Sequence, residues 1–155
     1  MHTATGLYVR TLRASDLDRC ATLITVAFAS DAPSRWLWPD RAEFLDAFPR
    51  FVRAFGGAAF AENTAFATDD FAGAALWSPP GAHTDDDALG ALLDETLDAS
   101  VKPDAFTVFE QMASFHPEEP HWHLTLIGVD PLIQGRGVGG ALVRDGLERC
   151  DRLGM

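Results

Sequence analysis

Length, composition and charge already exclude several kinds of protein. The chain has 155 residues, of which 47% are apolar, so it can bury a core and is too apolar to be disordered. Its net charge of −11 argues against a nucleic-acid partner, because phosphates attract basic surfaces. No apolar run reaches the roughly 18 residues of a membrane span, so no membrane partner is expected. We therefore expect one domain over residues 1–155.

Two features favour a cytoplasmic location. Residues 1–6 have neither the basic flank nor the apolar stretch of a secretory signal. Cys20 and Cys150 fall on apolar faces of predicted helices, which is typical of small core residues in a reducing compartment rather than of a disulfide.

The negative charge is unevenly distributed. Residues 134–155 carry a net charge of +1, so the rest of the chain carries −12. An acidic body would attract a cationic substrate such as an amine, although a solubilising surface is a sufficient explanation.

Apolar periodicity and turn residues predict the elements of the N-terminal half in chain order. A strand over 7–12 and a helix over 15–30 come first, followed by a loop over 31–39 that exposes two tryptophans. The next elements are a helix over 40–56, which Pro49 is expected to kink or split, and a hairpin of strands over 64–68 and 71–77.

The C-terminal half is predicted to contain two further helices, one strand and a final helix. The helices cover 86–99 and 105–115, with Lys102 and Pro103 breaking the chain between them. The strand covers 121–129, and the last helix ends at Leu153. No repeat or interdomain linker interrupts this order.

Four glycines in six residues separate the last strand from the last helix. Residues 135–140 read Gly-Arg-Gly-Val-Gly-Gly, and such a loop lets backbone N–H groups surround an anion at a helix N-terminus. The dinucleotide pattern G-x-G-x-x-G is satisfied, but that fold places the first glycine directly after the strand and an acidic residue about 20 positions later. A Walker loop is excluded because no Gly-Lys-Ser/Thr follows. A glycine turn without a ligand is the remaining alternative.

The loop and the strand before it resemble a known family. Gln134, Gly137 and Gly139, after the apolar strand and Pro131, match the acetyl-coenzyme A motif Gln/Arg-x-x-Gly-x-Gly/Ala of the GNAT superfamily of N-acetyltransferases. The order of predicted elements is also similar to that family. The resemblance implies an α/β (α+β) fold with a mixed, mostly antiparallel sheet flanked by helices. It also implies acetyl transfer from acetyl-coenzyme A to an amine of a small molecule or peptide, without a metal.

The resemblance assigns a cofactor site to one stretch of chain. Backbone amides of the loop would bind the pyrophosphate at the helix N-terminus, and the strand would pair with pantetheine. An amide at or near Val129 would act as oxyanion donor, and Gly128 would permit a bulge. The residues implied are Ile127, Gly128, Val129, Gln134, Gly135, Arg136, Gly137, Val138, Gly139 and Gly140.

A general base must take the proton of the attacking amine, and the sequence offers several candidates. His121 and His123 lie on one face of the predicted strand, and histidine titrates in the useful range. Glu110 and His116 are the other candidates. The His-x-His spacing also suits two metal ligands, joined by His116 or Glu118, but no cysteine or clear third ligand supports zinc.

The acceptor site is expected in the loop after the first helix, where the family places acceptor contacts. Trp36 and Trp38 are the predicted substrate-binding residues, with Trp77 as a further candidate. Core packing is the alternative interpretation of all three.

The resemblance further implies that a GNAT domain continues with a strand, a helix and two more strands after the last helix. We therefore expect a domain that is incomplete at its C-terminus, either a fragment, one half of a homodimer that completes the sheet, or a short form that only binds the coenzyme. A fragment is favoured. A non-catalytic acyl-coenzyme A binding or interaction module is the alternative function.

Overall fold

Four antiparallel strands form the sheet in the computed structural model, which describes residues 7–155. The order β1-β2-β3-β4 follows the chain, so each strand pairs with its neighbours in sequence. This architecture confirms the predicted mostly antiparallel sheet flanked by helices. The strands are β1 Val9–Thr11, β2 Ala65–Thr68, β3 Gly73–Ser78 and β4 His123–Val129.

Seven α-helices accompany the sheet in this part of the chain. Helices α1 and α3 pack together on one face, and α7 covers the other face. They are α1 Leu17–Ala27, α2 Ala32–Leu37, α3 Arg41–Gly56, α4 Ala58–Ala61, α5 Asp86–Thr96, α6 Lys102–Ser114 and α7 Val138–Leu153.

The core is divided by the sheet into two unequal parts. The larger part lies under α1, α3 and α5 and contains an aromatic row on α3, in which successive rings of Phe44, Phe48, Phe51 and Phe55 lie 4.8–5.4 Å apart. The smaller part lies between the sheet and α7. Cys20 and Cys150 are both buried and free, as predicted.

Two glycines bring a helix close to each face of the sheet. A Cβ at Gly128 of β4 would lie 2.9 Å from the Cβ of Ala27 on α1. A Cβ at Gly146 of α7 would lie 2.5 Å from the ring of Trp77 on β3. Because real Cβ contacts are longer, the absence of a side chain sets both helix-to-sheet distances.

Three helix predictions are corrected by the structure. Residues 31–39 do not form only a loop, because the Asp31 side chain accepts from the Ser34 N–H and starts α2. Helix α3 runs through Pro49 without splitting, and its apolar row anchors both halves to the core. Lys102 begins α6 instead of breaking the chain, with Pro103 in the first turn, where its missing N–H has no cost.

The predicted strands began one or two residues too early. Phe71 lies in the turn of the hairpin at φ 58°, with the Arg19 guanidinium 3.9 Å from its ring centroid. Residues 121 and 122 precede β4, and the predicted first strand is shortened to Val9–Thr11. The interpretation of residues 1–6 as lacking a secretory signal falls outside the described residues. No helix within residues 7–155 is both long and apolar enough to cross a membrane.

Candidate functional site

Strand β4 has an open edge, because it pairs only with β3 within residues 7–155. Beyond its end, the Asp130 N–H donates to the Ala72 carbonyl at 2.9 Å. In an antiparallel strand, the backbone N–H and C=O groups of successive residues point alternately toward the neighbouring strand and away from it. Since Asp130 bonds toward β3, Gly128 does so as well, and Ile127 and Val129 direct their backbone groups to the open edge.

A bulge in β4 lies at Thr125 and not at Gly128. Leu76 pairs with Leu126 but the next residue, Trp77, pairs with Leu124, so Thr125 is the extra residue. Its hydroxyl lies 2.7 Å from the hydroxyl of Ser78 on β3. The prediction that Gly128 permits a bulge was wrong, because this glycine serves the close packing of α1 instead.

The glycine loop turns the chain from β4 into α7 with two left-handed residues. Gly135 and Gly137 have φ of 77° and 83°, a region that side chains disfavour, and Gly137 is the N-cap of α7. A Cβ at either position would have no neighbour within 4 Å, so conformation and not packing within the protein requires glycine there. The loop therefore leaves open space in front of the helix.

The N–H groups of this loop have no backbone acceptor in the part of the chain that the structure describes. The first N–H of α7 that bonds to the backbone is that of Ala141, which donates to the Gly137 carbonyl at 3.0 Å. The six N–H groups of residues 135–140 precede it, at the positive end of a 16-residue helix. Such a concentration of unpaired donors suits a pyrophosphate.

Two side chains hold the loop in register with the strand. The Gln134 amide Nε2 donates to the Val129 carbonyl at 3.1 Å, which agrees with the outward direction of that carbonyl. The Asp130 carboxylate accepts from the Leu132 N–H at 2.9 Å and fixes the turn. The open edge of β4 is thus continuous with the donors of α7.

The cofactor residues predicted from the motif lie together in this continuous stretch. Three belong to the end of β4 and seven to the loop and the first turn of α7. The Val138 side chain is buried under the sheet, so only its N–H faces outward, whereas Arg136 is exposed.

Three histidines meet beside the other end of β4. The His116 ring centroid lies 4.4 Å from that of His123 and 5.7 Å from that of His121. All three line a cavity of about 520 Å³ together with Ser78 and Thr125. His116 lies two residues beyond the end of α6, and the short segment between it and β4 folds back to bring the three rings together.

The electrostatics of this group favour a neutral His123. Burial first, and then the neighbouring imidazoles of His116 and His121, hold the pKa of His123 below the ordinary value of 6.5. The Nδ1 of His121 lies 2.8 Å from the Glu119 carbonyl oxygen. Because that oxygen can only accept, Nδ1 is protonated and donates the hydrogen bond. A neutral, half-buried imidazole facing a cavity can accept a proton near neutral pH.

One other candidate base lies apart from this arrangement. Glu110 is exposed on α6 and does not line the cavity with the histidines. Within residues 7–155, no three His, Cys, Asp or Glu side chains are arranged to hold a metal ion.

An apolar cavity of about 390 Å³ lies along β4 on the side of α1 and α3. Trp36 of α2 lines it and is 41% exposed, and its role in substrate binding stays a prediction. Trp38 is fully buried and donates from Nε1 to the Thr96 hydroxyl at 3.0 Å, so it is a core residue and the exposed position predicted for it was wrong. Trp77 is also buried, against α7.

Sequence reasoning missed the contribution of α6 to this cavity. Phe109 and Met112 line it, although no motif in the sequence distinguishes them from core residues. Thr125 was missed for the same reason, since a bulge leaves no clear sequence signal.

Comparison with known proteins agrees with this geometry. Residues 23–155 match the model of the acetyltransferase (GNAT) family, so the chain belongs to the GNAT family and is an acyltransferase. A crystal structure from Corynebacterium glutamicum ATCC 13032, described as histone acetyltransferase HPA2 and related acetyltransferase, is similar at 22% identity and a TM-score of 0.58. The similarity covers 92% of this chain and 70% of that chain and shows a shared fold.

Proposed function

We propose that the chain transfers the acetyl group of acetyl-coenzyme A to a primary amine of a small molecule or peptide by direct attack. The observation that carries this proposal is the run of six N–H groups at residues 135–140, continuous with the open edge of β4. A pyrophosphate next to an extended arm is the chemistry that such a site fits.

Each part of the coenzyme has a proposed partner in this stretch. The N–H groups of residues 135–140 bind the pyrophosphate, with Arg136 close enough in sequence to add a charge. Backbone groups of Ile127 and Val129 pair with the pantetheine arm at the open edge. The Val129 carbonyl already accepts from Gln134, which leaves its N–H for the arm. The arm then runs along the open edge toward His123, where an amide of β4 acts as oxyanion donor to the thioester.

The proposed reaction is a direct aminolysis of the thioester. The amine nitrogen attacks the carbonyl carbon, a C–N bond forms, the C–S bond breaks and the thiolate leaves. The amine proton passes to His123, directly or through water. His123 is the preferred base because it is half-buried on β4 and its pKa is lowered, whereas Glu110 is exposed elsewhere.

Calorimetry with acetyl-coenzyme A, followed by release of free thiol with a panel of amines, tests this function. We expect micromolar binding, an increase in melting temperature at saturation, and thiol release with at least one amine. Neither heat nor a melting shift would contradict the cofactor assignment. Binding without thiol release from any amine would favour a non-catalytic acyl-coenzyme A binding module.

A cytoplasmic location and a homodimer are further parts of this proposal. Burial raises the pKa of the Cys20 thiol to about 12, which suits an inert core residue of a reducing compartment. A second copy would supply the strand on the far side of the pantetheine arm and so complete the sheet, because unpaired strand edges favour association. Light scattering should then give twice the chain mass of 16.8 kDa, and a monomer would remove the dimer alone.

A further inference from the structure

We propose that the acceptor is a primary amine carried on an aromatic or branched apolar body, which binds in the cavity between α2, α6 and β4. This inference rests on the proposed acetyl transfer and names the class of its acceptor. The cavity volume of about 390 Å³ lies within the range of about 300–1,000 Å³ typical of small-molecule sites.

The cavity wall is almost entirely apolar and largely aromatic. Rings of Phe28, Phe48, Phe51 and Phe55 come from α1 and α3, and those of Trp36 and Phe109 come from α2 and α6. A polar amine such as a polyamine would lose its hydration here without gaining hydrogen bonds. An aromatic body would instead find ring contacts on several sides.

Few polar side chains line the cavity. Asp31, Ser34 and Thr125 are its polar lining residues, and the Asp31 carboxylate already accepts from the N–H and the hydroxyl of Ser34. Thr125 also lines the cavity that contains His123. An amine nitrogen near Thr125 would therefore lie at the junction of the apolar cavity and the proposed base.

The electrostatics favour delivery of the amine as a cation and its reaction as a neutral group. The net charge of −11 attracts ammonium ions to the surface. Within the apolar cavity, loss of hydration disfavours the charged form and lowers the pKa of the amine. Binding in the apolar cavity thus promotes the deprotonation of the amine that direct attack requires.

Helix α6 forms an adaptable wall for such a body. Ala105 is its only buried residue, whereas Val108 and Met112 line the cavity and are 43% and 49% exposed. An unbranched thioether side chain such as that of Met112 repacks easily around a ligand. Exposed apolar side chains around a cavity are typical of a binding site.

The test compares 2-phenylethylamine with ethanolamine by calorimetry on the full chain saturated with coenzyme A, which cannot turn over. We expect 2-phenylethylamine to bind about 10- to 100-fold more tightly, because its ring is removed from water. Equal affinity of the two amines would overturn the inference. Coenzyme A is titrated first. If it gives no heat of binding, the proposed function fails at that step, and the inference that rests on it fails too.

Variants of exposed residues locate the binding without threatening the fold. Trp36→Ala should weaken 2-phenylethylamine about tenfold, Trp36→Phe should retain most of its affinity, and Val108→Trp should obstruct the cavity. Leu45→Ala is the matched control, because it removes an exposed apolar side chain that does not line the cavity. Unchanged 2-phenylethylamine affinity in both Trp36→Ala and Val108→Trp would contradict the inference.

A second measurement distinguishes an acyl chain from the acceptor as the occupant. Hexanoyl-coenzyme A is compared with acetyl-coenzyme A in the wild-type chain and in Trp36→Ala. We expect that Trp36→Ala does not change the difference in affinity between the two acyl-coenzymes. A gain that Trp36→Ala abolishes, with 2-phenylethylamine unaffected, would assign the cavity to the acyl group and overturn the inference.

Discussion

The two ends of β4 present different kinds of site. At the C-terminal end, the chain offers backbone groups of Ile127 and Val129 and the six N–H groups of residues 135–140. At the N-terminal end, about 20 Å away for a strand of this length, it offers side chains around His123 and Thr125.

The difference lies in how each end is assembled. The C-terminal end comes from one continuous segment, so its geometry depends on local backbone conformation, such as the left-handed Gly137. The N-terminal end combines β4 with the end of α6 and, through the apolar cavity, with α2 and α3. A substitution at the first should therefore act on coenzyme binding, and one at the second on the acceptor and on proton transfer.

The largest expected effect is on catalysis at the N-terminal end. His123→Gln should lower kcat of acetyl transfer by about 100-fold or more, because it removes the proposed base, and should leave the Kd of acetyl-coenzyme A unchanged. Steady-state kinetics and calorimetry measure the two. His83→Gln is the matched control, since His83 lines the same cavity but is exposed. Equal kcat in His123→Gln and wild type would remove His123 from the mechanism.

The next effect is on stability, where β4 meets α1. Gly128→Ala should lower the free energy of unfolding by about 1–3 kcal/mol, because the new Cβ lies 2.9 Å from that of Ala27 and 3.3 Å from the Cα of Ile24. Urea denaturation measures it. Gly90→Ala on α5 is the control, since its Cβ would have no neighbour within 4 Å and helix propensity should then raise stability. An unchanged free energy of unfolding in Gly128→Ala would show that α1 can shift away from β4 without cost.

Coenzyme affinity is the sensitive property of the C-terminal end. Gly137→Ala should weaken acetyl-coenzyme A about tenfold, because a side chain at φ 83° costs about 1–2 kcal/mol and shifts the donors. Calorimetry measures the Kd. Gly154→Ala provides a matched control, because Gly154 caps the other end of α7 at φ 68°. If both variants weaken coenzyme binding equally, strain in α7 as a whole is responsible and not the conformation of the loop.

A smaller effect is expected in the pH dependence. With a neutral His123 as base, kcat/KM should rise with pH and reach half its maximum below pH 6.5, because the pKa of His123 is lowered. His116→Gln removes one of the charges that lower it, so the half-point should move upward while burial keeps it below that of free histidine. A pH profile unchanged by His116→Gln would contradict coupling between the two rings.

The smallest effect is expected at an exposed charge of the loop. Arg136→Ala should weaken acetyl-coenzyme A only a few-fold, because surface ion pairs contribute about 0–1 kcal/mol. The difference should shrink as salt increases, which calorimetry at two ionic strengths measures. A loss of 100-fold would show that this side chain, and not the amides, binds the phosphates.

The pairing of β2 with β3 was predicted from the sequence, because two apolar runs flank a short turn. The errors have local physical reasons. Trp38 gave no sign of burial because only its bond to Thr96, 58 positions away, satisfies the indole N–H inside the core. Pro49 predicted a kink or a split, and the split is absent because packing of the aromatic row on both sides holds α3 together.

By itself, the sequence determined the loop and the family to which the chain belongs, because Gln134, Gly137 and Gly139 lie in one short segment with a recognisable spacing. Only the tertiary structure decided where β4 bulges and which aromatic residues face a cavity. These depend on contacts between α2, α3, α6 and β4, whose separation along the chain leaves no periodic or local signal.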